Sequence, residues 1–108
     1  MGTITVSEKV LKVLKDFIPG ADLSAKLESL TRESLEHHLH ACNEALSRFE
    51  GKYGLTFPEF AQAWQEGKIP NKHSHEVERD FMEWEAHQQE KDDLLTAVRE
   101  FDQTESRA

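Results

Sequence analysis

A single cysteine, Cys42, stands in a chain of 108 residues, so no internal disulfide can staple the fold. Three prolines and five glycines leave few obligatory breaks, and none falls between Asp22 and Glu50. There is no charged-then-apolar leader and no long apolar run, which argues for a soluble, cytoplasmic chain with no membrane role. Glycine-rich phosphate loops, nucleophile elbows and the metal spacings HExxH, CxxC and CxxH are all missing, so no cofactor and no catalytic role are expected. A chain of this length buries only a modest core by itself, and association would help it.

What is present begins with charge. The formal net charge is −8, unevenly spread. Residues 1 to 32 hold five Lys/Arg against four Asp/Glu, leaving eight against seventeen for the remainder. A near-neutral, lysine-bearing front can approach a polyanion, whereas the acidic back suits a basic protein partner.

Thr3-Ile4-Thr5-Val6 alternates polar and apolar β-branched residues at period two, which predicts a short half-buried strand. No later stretch alternates this way, so the expected pairing partner is the same strand of a second copy. Ser7 is a good N-cap with Glu8 in the first turn. The recurrence of Val10, Val13, Leu14, Phe17 and Ile18 predicts an amphipathic helix closed by Pro19-Gly20. Asp22 then caps a second, long helix carrying Leu23, Leu27, Leu30, Leu35, Leu39, Cys42, Leu46 and Phe49, which Gly51-Lys52-Tyr53-Gly54 should stop. Thr56 and Glu59 form a capping box with Pro58 in the first turn of a short helix bearing Phe60 and Trp64. A last helix, about residues 75 to 101, places Val77, Phe81 and Trp84 on one face and Leu94, Leu95, Val98 and Phe101 further along.

The segments Thr3 to Leu11, Val13-Leu14 and Gly20 to Ser24 together resemble the ribbon-helix-helix repressors of the Arc, MetJ and CopG kind. The resemblance implies a mainly α fold with a short N-terminal strand plus two helices, dimeric, followed by a helical arm. It divides the chain into residues 1–50, for dimerisation and DNA contact, and residues 51–108, an acidic partner-binding region. It implies that Thr3 and Thr5 face operator bases, that Lys9 contacts the DNA backbone, and that Ile4, Val6, Val10 and Leu14 hold the homodimer. The stretch Phe49 to Phe60, with Trp84 beyond, is similar to small bacterial antitoxins of two-gene modules. That likeness implies that the C-terminal helices neutralise a basic toxin, with Phe60, Trp64, Phe81 and Trp84 as contact residues, and that the dimer represses its own operon.

A different reading makes the chain a non-enzymatic helical scaffold or metal-binding protein. His37, His38 and His40 lie on about one helical turn, with His73, His75 and His87 later. If the long helices pack antiparallel, His87 approaches His38 and Cys42, although no metal is the primary expectation. A catalytic bundle would draw on Glu33 with Glu36 and Asp80 with Glu83, each pair three apart.

Overall fold

A computed structural model describes residues 5–106. They form four helices: α1 (Glu8–Phe17), α2 (Leu23–Tyr53), α3 (Phe57–Gln65) and α4 (His75–Ser106). Among the described residues there is no strand, which corrects the expected ribbon-helix-helix fold. Thr5, Val6 and Ser7 are irregular, and Thr3 and Ile4 lie outside the described residues. A strand needs a ladder to join and the described residues offer none, whereas the capped helix beginning at Glu8 supplies its own backbone bonds.

The helix ends follow local chemistry. Ser7 Oγ accepts from the Val10 amide at 3.3 Å and starts α1. Asp22 Oδ1 accepts from the Ala25 amide at 2.8 Å at the head of α2. Thr56 and Glu59 close a reciprocal capping box, with bonds of 2.8 and 3.4 Å, at the head of α3. Ser74 does the same for α4 by accepting from the Val77 amide. At the end of α3, Gly67 takes φ +72 and passes its amide to Trp64 while Lys68 bonds Ala63, a Schellman closure. Gly51 does not stop α2. The helix runs on to Tyr53 and yields at Gly54, where φ is +69.

The chain divides into two compact units, residues 1–36 and 37–108, whose boundary falls inside α2 rather than at residue 50. In the first unit, α1 folds back on the start of α2 through Pro19 to Asp22. Lys26 Nζ donates to the last carbonyl region of α1, at Ile18 O, over 2.6 Å. Gly20 is required there: its φ is +141, and a Cβ would meet Lys26 N at 2.7 Å. Leu14 is the buried apolar residue of α1.

In the second unit α2 and α4 run antiparallel, since Lys52 meets Glu76 and Asp80, Phe49 meets Trp84, and Cys42 meets Glu90. Short α3 closes one end over a core of Leu46, Phe60, Ile69 and Trp84. Trp84 is fully enclosed, stacked by Phe49 at 5.4 Å and Tyr53 at 5.7 Å, with Phe60 tilted against it at 4.9 Å. Ile69 enters this core from the α3–α4 connection, where Asn71 adopts φ 57.

Candidate functional site

Two features of the surface have chemistry that the fold itself does not use up. The first is α1. Its apolar residues outnumber what one neighbour can cover. Leu11 and Leu14, with Leu23 of α2 and the stems of Lys15 and Lys26, line a shallow apolar groove within the first unit. Val10, Val13 and Phe17, spaced i, i+3 and i+7, form a separate stripe that is 46, 50 and 78% exposed. Lys9 and Asp16, seven residues apart, both exposed, run along one edge of that stripe.

The second feature is a donor cluster between α2 and α4. Buried Cys42, half-buried His87 and exposed Glu90 place one sulfur, one nitrogen and one oxygen all within 4.8 Å of one another. Burial pushes the Cys42 thiol up, and its hydrogen bond to the Glu90 carboxylate and the charge of that group add to the effect. His87 and Glu90 stand three apart on α4, so they share a face toward Cys42.

A third arrangement is structural. Asp80 Oδ2 accepts from Lys52 Nζ at 2.6 Å and from the Tyr53 hydroxyl at 2.6 Å, and Lys52 also meets Glu76 at 2.7 Å. Burial alone would push the Asp80 carboxyl up, but the hydrogen bonds from Lys52 and Tyr53 outweigh it and hold the group below its ordinary range. Tyr53 is pushed up to about 12, by burial first and then by its bond to Asp80. Lys52 is raised, through its hydrogen bonds to Asp80 and Glu76. This triad pins the C-terminus of α2 to the first turns of α4.

The residues named from sequence are distributed as follows. Phe60 and Trp84 are fully buried and Trp64 and Phe81 partly so, the last two with ring centroids 4.7 Å apart, so all four are engaged by the interior of the second unit. Trp64 is also covered by Lys72, whose ammonium lies 5.2 Å from the ring centroid. Of the expected dimer residues, Val10 is exposed, Val6 is half-buried and Leu14 is buried within its own unit, while Ile4 is outside the described residues. Of the expected DNA contacts, Thr5 and Lys9 are exposed and Thr3 is outside the described residues. The structure brings Cys42 and His87 together, but with Glu90 rather than His38 as the third donor. Glu90 was missed although the i, i+3 spacing from His87 signals it. His40 is instead engaged with Glu44 at 3.0 Å, one turn on along α2. Asp80 is held by Lys52 and Tyr53, which occupies half of the carboxylate pair it forms with Glu83.

Comparison with family models, with curated proteins and with solved structures finds no match to this chain. The site's own geometry therefore carries the functional argument. No helix among the described residues is long and apolar enough to cross a membrane.

Proposed function

We propose that the chain is a non-catalytic interaction protein that forms a homodimer through α1 and offers its acidic C-terminal part to a basic protein partner. The observation that carries the reading is the exposed stripe of Val10, Val13 and Phe17 on a capped, ordered helix. A contiguous apolar stripe kept in water is costly for a small protein, and a mating surface removes that cost.

A second copy fits the stripe because its charges are self-complementary. In an antiparallel α1 pair related by a two-fold axis near Val13, Val10 of one chain comes opposite Phe17 of the other. Lys9 then comes opposite Asp16, twice by symmetry. The acidic excess beyond residue 32 supports the partner half of the proposal, as eight basic residues stand against seventeen acidic ones there. A small basic toxin, the partner implied by the antitoxin likeness, is one protein of that kind. Operator binding depended on the ribbon and is not part of the proposal.

Sedimentation of the intact protein at micromolar concentration should give twice the chain mass of 12.4 kDa. Phe17→Glu should give a monomer with unchanged helix content, since it buries a charge only in the dimer. A chain lacking residues 1–6 should stay dimeric, because α1 is intact. A monomeric intact protein, or a Phe17→Glu variant that still dimerises, would overturn the α1 interface.

A further inference from the structure

The donor cluster at Cys42 is independent of the α1 stripe and asks a separate question. Side chains from two helices converge there: Cys42 from α2, and His87 and Glu90 from successive turns of α4. We infer that Cys42, His87 and Glu90 form a binding site for a zinc-like divalent cation.

The geometry is close to what such an ion needs. Zinc held by sulfur at about 2.3 Å and by nitrogen at about 2.0 Å in a tetrahedron separates those two atoms by roughly 3.5 Å. The three donors already lie within 4.8 Å of one another, so rotation of exposed Glu90 and half-buried His87 closes the remaining gap without moving either helix. The donor chemistry selects the ion. A thiolate with an imidazole suits zinc or cobalt and disfavours magnesium and calcium, which take oxygen ligands. Three protein donors leave a fourth position for water on the solvent side, where Glu90 is exposed.

The ion-free state is also accounted for. The Cys42 sulfur and a Glu90 carboxylate oxygen already stand within 4.8 Å of each other, and a thiol must lose its proton to ligate a cation. Binding replaces that proton, which leaves to solvent, and joins sulfur and oxygen through the metal instead. Lys91 lies near enough to act on the thiol, and its positive charge opposes the cation. His38, one turn before Cys42 on α2, is exposed and is not one of the three donors.

The test is titration of the full chain with cobalt(II) under reducing conditions, followed by displacement with zinc. One equivalent should bind with a sulfur-to-cobalt charge-transfer band in the near ultraviolet and visible bands of tetrahedral intensity. Cys42→Ser should abolish the charge-transfer band. Glu90→Gln, a change at an exposed position that does not threaten the fold, and His87→Ala should each weaken binding by on the order of 10- to 100-fold. A combined His37→Ala, His38→Ala and His40→Ala variant should bind as the parent does. Cobalt bound without a thiolate band, affinity unchanged by Glu90→Gln and His87→Ala, or binding lost in the triple histidine variant would each overturn the site.

Discussion

The two units of this chain reach order by different means. The C-terminal unit interlocks seven rings, Phe49, Tyr53, Phe57, Phe60, Trp64, Phe81 and Trp84, and encloses two of them completely. Each enclosed aromatic contributes burial on the order of 2–3 kcal/mol, and well-oriented ring pairs add about 0.5–1.5 kcal/mol. The N-terminal unit has one buried side chain among its described residues, Leu14, and relies on caps, a glycine turn and the Lys26 bond to Ile18. A short helical hairpin with so small a core is marginal in water. The difference teaches that the same chain holds one unit ordered around an enclosed aromatic core and one that leaves Val10, Val13 and Phe17 in solvent.

The strongest way to break this comparison is to hollow out each core in turn. Trp84→Ala should cost about 3–5 kcal/mol, because a fully enclosed ring leaves a cavity that its stacked neighbours cannot fill. Urea denaturation should show it as a large drop in midpoint and a loss of near-ultraviolet circular dichroism. Leu14→Ala should leave that signal intact and remove only part of the helicity, and the same response in both variants would mean that the units do not differ as described.

A smaller effect sharpens the picture at the Lys52–Tyr53–Asp80 triad. Asp80→Ala leaves the Tyr53 hydroxyl without its acceptor, while Lys52 keeps Glu76, and should cost about 1–3 kcal/mol at neutral pH. The pH dependence has two signs. Asp80 is depressed in the folded state, so its contribution is present above the unfolded value of about 3.9 and is lost as pH falls through the folded value. Tyr53 is raised, so its contribution is whole below about 10 and is lost as pH rises toward about 12. Denaturation midpoints of the intact chain should therefore fall at both extremes, and those of Asp80→Ala should fall less at the acid end.

The smallest effect concerns the caps. Thr56→Ala removes one half of the α3 capping box and should cost about 1 kcal/mol, a loss the aromatic unit absorbs while staying folded. Ser7→Ala removes the side-chain cap of α1, where there is little core to compensate, so helix content should fall measurably by circular dichroism. Equal responses would show that α1 is held by more than its own caps and the Leu14 contact.

Much of the fold was legible because its signals are local. Ser7, Asp22 and the Thr56–Glu59 pair act within three residues of themselves, so their types alone located three helix starts. The stop of α2 was legible as the stretch Gly51-Lys52-Tyr53-Gly54, and the helix ends within it at Tyr53. Of its two glycines Gly54 makes the turn, at φ +69, while the helix passes through Gly51. The Thr3–Val6 alternation misled because period two is a property of a strand only when a neighbour supplies the ladder, and four residues cannot signal one. Phe60 and Trp84, expected as partner contacts, are buried by contacts among α2, α3 and α4, which no single helix pattern encodes. The donor cluster was half legible, since an antiparallel pairing of the long helices placed His87 near Cys42. Glu90 completes the cluster because it stands one turn beyond His87 on the same face of α4, whereas His38 is exposed on α2.

Both tryptophans and the one tyrosine belong to the C-terminal unit, and residues 1–36 contain neither type. Trp84, moreover, has an indole N–H with no acceptor among the described residues, inside a shell of rings. An indole so placed emits at short wavelength, and unfolding around it moves the emission to the red. Intrinsic fluorescence of this protein is therefore a clock for one unit only, silent about the other, while far-ultraviolet dichroism counts the helices of both. A thermal melt followed by the two signals together separates the units without any label, because the N-terminal hairpin leaves its trace as the part of the dichroism change that the tryptophans do not see.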